Sequence, residues 1–224
     1  MKIVVINPNS SADMTKDIND AVQRYTEGRF EAIVLPTPGA PEFIDTFEDK
    51  ALAAPGMMQL VRSYENEADS FVVACACDPN LKLMREITKK PVIGIGEASM
   101  YIAAMLGRSF TILQTDSYSV PNKVNLVHEY HMEENLASVK VACGEQTGRF
   151  DQYLTAARRA MERDGAEVII LGCAGLCDMA NRLSEKLGIP VLDGVACGLS
   201  IAESVVRLGY TTSKARYYSA AING

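Results

Sequence analysis

Two cysteines in this chain stand directly after apolar, strand-like runs. Cys75 follows Phe71-Val72-Val73-Ala74, and Cys173 follows Val168-Ile169-Ile170-Leu171-Gly172. A thiol so placed opens the next turn near a helix N-terminus, where backbone N–H groups and the helix dipole favour the thiolate. An ordinary thiol pKa of about 8.5 is already close enough to neutrality for proton transfer. One such cysteine alone is most simply a buried apolar thiol. Two at equivalent places in a repeat point to a paired acid–base device. One thiolate takes a proton from a carbon stereocentre and the other thiol returns one to the opposite face.

The elements that must position these thiols repeat. Pro91 lies 16 residues after Cys75 and Pro190 lies 17 after Cys173, each opening a short apolar run, Pro91-Val92-Ile93-Gly94 and Pro190-Val191-Leu192-Asp193. The halves also open alike: Ile3–Ile6 leads into Asn7-Pro8-Asn9-Ser10, and Phe110–Leu113 into Gln114-Thr115-Asp116-Ser117. Strands are expected at 2–6, 31–35, 70–74, 92–95, 110–113, 139–142, 168–171 and 191–192. Helices are expected at 12–25, 51–67, 81–88, 99–106, 120–130, 150–164, 177–187 and 198–208, with a small-residue turn ahead of 99–106 and of 198–208. Continuous Val/Ile/Leu runs without polar alternation suit parallel strands buried on both faces. Alternation with helices makes βαβ units. The expected fold is α/β with two pseudo-symmetric lobes, each a small parallel sheet flanked by helices, and the active site in the cleft between them. The first lobe is expected to span 1–97, joined by 205–224, and the second 98–204.

Composition removes several classes of function. The chain has 224 residues, 48% hydrophobic and 22% charged, so it can bury a sizeable core and is not disordered. Its net charge of −6 offers no basic stripe for nucleic acid. Its longest apolar runs are only strand-length, so no membrane span is expected and the reading is cytoplasmic. Six cysteines in such a chain do not call for a disulfide framework; Cys143 and Cys197 read as buried thiols. Cys75, Cys77, Cys173 and Cys177 could make a four-thiolate zinc site, but zinc pairs favour Cys-x-x-Cys spacing. His128-x-x-His131 reads better as a solvated helix end than as a metal site. Gly94-Ile95-Gly96 is too short for a dinucleotide fingerprint, and no phosphate loop is present. No cofactor or metal is therefore expected, and the partner is a small molecule, with a homo-oligomer expected.

Four stretches in order resemble the hydantoin/allantoin racemase branch of the aspartate/glutamate racemase superfamily. They are Ile6-Asn7-Pro8-Asn9-Ser10-Ser11 with Met14-Thr15, Cys75-x-x-Asp78-Pro79-x-Leu81, Gly94-Ile95-Gly96-Glu97-Ala98, and Leu171-Gly172-Cys173-Ala174-Gly175-Leu176. The resemblance runs on to Pro190-Val191-Leu192-Asp193-Gly194-Val195. It implies two α/β lobes, no cofactor, and proton transfer by Cys75 and Cys173 on a hydantoin-type substrate. The chain departs from that branch at Asn80, where glycine is usual, at Gln114, where threonine is usual, and at Cys77, where glycine or aspartate is common. Amino-acid racemases of the superfamily carry Thr-His after the second cysteine, whereas Ala174-Gly175 supplies only backbone N–H groups. That suits a neutral cyclic imide or ureide whose developing enolate needs hydrogen bonds. An amino-acid racemase or a related isomerase or decarboxylase is the neighbouring enzyme reading, and a bilobed small-molecule binding protein the non-enzymatic one. The expected substrate-binding residues are Asn9, Ser10, Ala76, Cys77, Asp78, Thr115, Ala174 and Gly175, with Cys77 acting more through its backbone N–H than its sulfur. Ser11 or Asp13 is expected to cap the first helix. The loop Pro36-Thr37-Pro38-Gly39-Ala40-Pro41 either walls the pocket or only connects.

Overall fold

The computed structural model describes residues 1–142, 148–176 and 179–219; Cys143 and Cys177 lie outside these. Among the described residues, eight strands form two four-stranded parallel sheets. The first has the order β2(Glu31–Pro36)-β1(Lys2–Asn7)-β3(Ser70–Val73)-β4(Val92–Gly94), and the second β6(Leu136–Val141)-β5(Phe110–Gln114)-β7(Val168–Leu171)-β8(Val191–Leu192). The two orders superpose strand for strand along the chain, as the repeat implies. β1 pairs in register with β3 from Ile3–Ser70 to Ile6–Val73, and β5 with β7 from Phe110–Val168 to Leu113–Leu171. Both thiols therefore emerge from equivalent central strands. β4 and β8 are edge strands that begin just after proline, where the missing N–H costs no ladder bond. The carbonyls of Pro91 and Pro190 still accept from Phe71 (2.9 Å) and Ile169 (3.0 Å).

Period-two alternation sends successive side chains to opposite faces, and both faces are covered. Ile3, Val5 and Val72 pack against Ile18 and Val22 of α1(Ala12–Thr26) and Val195, Leu199 and Ala202 of α8(Gly194–Arg207). Val4, Ile6, Phe71 and Val73 pack against Ala53, Met57 and Val61 of α2(Phe47–Tyr64) and Met84 of α3(Leu81–Ile87). In the second sheet, Leu113, Ile169 and Leu171 meet Tyr153, Ala157 and Ala160 of α6(Arg149–Asp164) and Leu183 of α7(Ala180–Leu187). Phe110, Ile112, Val168 and Ile170 meet Met100 and Ala103 of α4(Ile95–Leu106) and Leu126 and Val127 of α5(Val120–Glu129). Each fully buried aliphatic side chain stabilises the fold by about 1.5–3 kcal/mol.

The lobes exchange helices. α4 leaves the first sheet and covers the second, whereas α8 leaves the second and covers the first, and the two pack on each other between the sheets. Residue 97 consequently falls in the first turn of α4. Both helices also begin four residues earlier than the sequence pattern suggested, at Ile95 and Gly194. The expected small-residue turns are helical because each helix start is capped by a carboxylate. Asp193 accepts from Val195 N and Ala196 N (2.8 and 3.4 Å), and Asp78 serves α4 from outside. At α1 the cap is Ser11, whose hydroxyl accepts from Met14 N at 3.3 Å. Among the described residues, no helix is long and apolar enough to cross a membrane.

Candidate active site

The strand ends bring both thiols to one cavity of about 120 Å³ between the lobes. Cys75 and Cys173 line it together with Ala76, Cys77, Gly172 and Ala174, all from the two post-strand turns. Asn9 and Thr115 come from the turns after β1 and β5. Of the other residues expected at the ligand, Ser10 is exposed and ties its N–H to Pro41 O at 3.0 Å, and Gly175 follows in the 3₁₀ turn Ala174–Leu176.

Asp78, expected at the substrate, is committed elsewhere. Its buried carboxylate accepts from Gly96 N (2.9 Å), Glu97 N (2.7 Å) and the Tyr130 hydroxyl (2.7 Å). The cap residue of α4 is Gly94, which has no side chain to satisfy the helix's free N–H groups. Asp78 supplies the missing acceptor from the cysteine turn, with its own φ at +46°. A Cβ on Gly94 would lie 2.4 Å from Asp78 Oδ1, and one on Gly96 2.7 Å from Oδ2. Only glycine admits the carboxylate there, which is the physical reason for Gly94-Ile95-Gly96. Burial pushes Asp78 up to about 7, against the pull of the Tyr130 and Gly96 hydrogen bonds. Asn80 also finds its explanation: φ is +58°, a conformation asparagine tolerates next best to glycine, and its amide donates to Lys50 O at 2.7 Å.

Asn9 is buried and half-engaged. Its Oδ1 accepts from Asn7 Nδ2 (2.7 Å) and Ser11 N (3.0 Å), which leaves Nδ2 with only the Met14 thioether at 3.0 Å. The 36–41 loop acts as a brace. Thr37 is buried, its hydroxyl donating to Asn7 O (2.7 Å) and its N–H to Asn9 O (3.0 Å). The pocket wall comes instead from the next residues, Phe43, Ile44 and Asp45. Gln114 lies in the lining, buried, its Oε1 accepting from Ser119 Oγ at 3.1 Å. It packs against Gly172, where a Cβ would fall 2.0 Å from Gln114 Nε2.

The sulfurs of Cys75 and Cys77 stand 3.3 Å apart. Two thiols at that distance titrate as a pair. The hydrogen bond from Cys75 brings Cys77 down to about 6; burial opposes it, and the charges of Lys123 and Lys50 add to it. The same hydrogen bond, with burial and the negative charge on Cys77, pushes Cys75 well up. One proton is thus shared and one negative charge sits on this side of the cavity near neutral pH. Cys197, expected to be a buried thiol, is buried in the α8 core, and burial raises its thiol to about 12. His128 is exposed, its Nδ1 3.0 Å from Glu133 Oε1. No cluster of three or more metal-ligating side chains occurs among the described residues.

Comparison with known proteins fits this geometry. Residues 3–202 match the family model described as Asp/Glu/Hydantoin racemase. The chain belongs to the Asp/Glu/Hydantoin racemase family. It is 35% identical to a hydantoin racemase of Pseudomonas sp. (strain NS671) over 97% of this chain and 91% of that one. Identity to a hydantoin racemase of Paenarthrobacter aurescens is 36%, over 97% and 96% of the two chains. Among solved structures, an allantoin racemase from Klebsiella pneumoniae superposes with a TM-score of 0.91 at 32% identity, covering 97% of this chain and 92% of that one.

Several lining residues of this family member escaped the sequence reading. Lys50, Phe43, Ile44, Tyr118 and Lys123 all face the thiol cavity. Lys123 carried a usable signal. It sits three residues after Val120 and four before Val127, on the stripe of α5 that faces the core, where a lysine is out of place. The Phe43–Asp45 wall carried none, since an irregular loop has no period to place it.

Proposed function

We propose that this chain is a cofactor-independent racemase of a hydantoin-type substrate, a 5-substituted hydantoin or allantoin, working by proton transfer between Cys75 and Cys173. The observation that carries the reading is the emergence of the two thiols from equivalent central strands into one cavity between the lobes. The names of the relatives add hydantoin and allantoin as substrate chemistry.

The substrate ring lies between the two turns with its C5 hydrogen toward one sulfur. For one enantiomer the Cys75 side acts as base. Its thiolate takes the C5 proton and the C–H electron pair moves onto the adjacent carbonyl oxygen, giving a planar enolate. The Cys173 thiol then delivers its proton to the opposite face. For the other enantiomer the roles reverse. Backbone N–H groups of the turns at Ala76–Cys77 and Ala174–Gly175 suit the developing enolate oxygen, and oxyanion donors of this kind are each worth about 10²–10³-fold in rate. Cys77 supplies the resting charge: the shared proton moves to Cys77 when Cys75 must act as thiolate, across 3.3 Å.

Incubating an optically pure 5-substituted hydantoin, and separately allantoin, with the protein is expected to abolish the circular dichroism signal at unchanged ultraviolet absorbance. Activity should persist after dialysis against a chelator. A stable dichroism signal with both compounds overturns the reading. Binding without racemisation would make the chain a binding protein, and racemisation of free aspartate or glutamate alone would make it an amino-acid racemase.

A further inference from the structure

Lys123 is 4% exposed and lines the thiol cavity, yet it makes no side-chain hydrogen bond or ion pair with any described residue. It follows Ser119, Val120, Pro121 and Asn122 at the N-terminus of α5, where the helix dipole opposes a cation. A buried charge normally has a partner, because leaving it unpaired costs several kcal/mol. Nothing about folding α5 asks for a lysine here, since its neighbours Leu126 and Val127 serve the core. The unmet requirement of this ammonium is an acceptor, and the space it faces is the one that holds the ligand.

We infer that Lys123 is a catalytic residue of the proposed racemase, its Nζ donating to the substrate carbonyl oxygen next to the acidic carbon. This inference rests on the hydantoin-type reading and deepens it. As Cys75 takes the C5 proton, the electron pair of the broken C–H bond moves onto that oxygen. Lys123 meets the new negative charge by hydrogen bond and keeps its own proton. The arrangement selects for a ligand with a carbonyl or anionic oxygen on the Lys123 side of the ring and against one presenting a cation there. The other charges facing the cavity are Lys50, Asp45 and Asp116. Lys50 sits with its Nζ 5.1 Å from the centre of the Phe47 ring. Asp45 and Asp116 are exposed at the rim, and Asp116 is already accepting from Ser119 N at 2.8 Å. Among the described residues neither carboxylate forms an ion pair with Lys123. The positive charge also helps hold the Cys75–Cys77 pair ionised, so the substrate role must be separated from that effect.

Two measurements on Lys123→Met, Lys123→Arg and Lys50→Met make the separation. The first uses no substrate. Alkylation of Cys75 and Cys77 by iodoacetate and by iodoacetamide is followed by peptide mass spectrometry, and the ratio of the two rates reports the charge felt by an anion in the cavity. The ratio is expected to fall about tenfold in Lys123→Met, to hold in Lys123→Arg, and to fall less in Lys50→Met. The second is kcat/KM for the hydantoin at pH 9.5, about a unit above the ordinary thiol value of about 8.5, where loss of the lysine changes the ionisation of the pair least. A loss of about 10²–10³-fold in Lys123→Met, with partial recovery in Lys123→Arg and unchanged far-ultraviolet dichroism, is expected. Near-normal kcat/KM in a folded Lys123→Met protein overturns the inference whatever the alkylation ratio does, and leaves the racemase reading intact. If the wild type racemises no hydantoin, that reading falls, and an unchanged alkylation ratio in Lys123→Met would remove the charge-recognition role as well.

Discussion

The turns after β3 and β7 are the same device built twice, in different surroundings. Each follows a central strand, presents a thiol to the shared cavity, and leads to a helix and then a proline-started edge strand. In the first, Cys75 meets a second thiol at 3.3 Å, two lysines face it across the cavity, and the turn spends its carboxylate on α4. In the second, Cys173 has no such thiol among the described residues, and the corresponding helix α8 is capped by its own Asp193. The repeat thus sets where both thiols sit, and local residues set the surroundings of the Cys75–Cys77 pair. Under the proposed mechanism the base on one face is a thiolate, and the Cys75–Cys77 pair is placed to supply it.

Replacing the thiols one at a time tests the part the turns share. Cys75→Ser and Cys173→Ser are each expected to lower kcat for racemisation by about 10³-fold or more, because a hydroxyl is too weak an acid to furnish the base. Each variant should still exchange the C5 proton for solvent deuterium in a single enantiomer, a different one for each variant. Exchange of both enantiomers by either variant would break the one-thiol-per-face assignment.

Cys77→Ser tests the asymmetry. The pair loses its first proton at about 6 in the wild type. Without the second sulfur, Cys75 should titrate nearer the ordinary thiol value of about 8.5. Because the thiolate is the active form, the acid limb of the rate profile moves to higher pH. Activity at pH 7 is expected to fall about tenfold and to recover toward pH 9. The corresponding limb for exchange through Cys173, read by deuterium uptake in Cys75→Ser, should not move on adding Cys77→Ser. An unshifted limb in Cys77→Ser would mean that only the backbone of residue 77 matters, as its sequence context suggested.

That contrast also separates what was legible in the sequence from what was not. The strands and their repeat, the equivalence of Cys75 and Cys173, and Ser11 as one of two candidate caps follow from apolar runs, spacing and local cap chemistry, which are written along the chain. Where α4 and α8 begin was missed. The α4 cap is a side chain 16 residues before Gly94, and Gly94-Ile95-Gly96 looks like a turn until Asp78 is seen filling the space its glycines leave. The Cys75–Cys77 contact was missed because both cysteines lie beyond the end of β3, in a turn with no period from which to place the two sulfurs. Lys123 was visible as a lysine on an apolar stripe, but its meaning depends on what the stripe faces.

The two helix caps differ in how much they hold. Asp78→Ala leaves two N–H groups and the Tyr130 hydroxyl without their buried acceptor and is expected to cost about 3 kcal/mol in urea unfolding. Asp193→Ala removes a half-buried local cap and should cost about 1 kcal/mol. Equal costs would mean that the Asp78 carboxylate is replaced by water once its side chain is gone.

A pH-dependent effect concerns the bond that ties the first turn to the other lobe. Tyr130 closes α5 and donates to Asp78 Oδ2 at 2.7 Å, so Tyr130→Phe deletes one hydrogen bond and little packing. Burial holds Asp78 at about 7 in the folded protein, above the roughly 3.9 of an unfolded aspartate. The folded state therefore keeps this proton longer than the unfolded state does. The contribution of Asp78 to stability is fully present below about pH 4 and is lost as pH rises through 7. The Tyr130 hydroxyl opposes that loss, because it hydrogen-bonds best to the ionised form. Removing it raises the Asp78 pKa further and steepens the decline of stability between pH 6 and 8. Tyr130→Phe is thus expected to cost about 1.5 kcal/mol at pH 8 and clearly less at pH 5, where the carboxyl is protonated in both proteins. Urea unfolding midpoints at the two pH values measure it. A cost independent of pH would show that the hydroxyl does not sense the Asp78 charge, and the link between the lobes would then be ordinary packing.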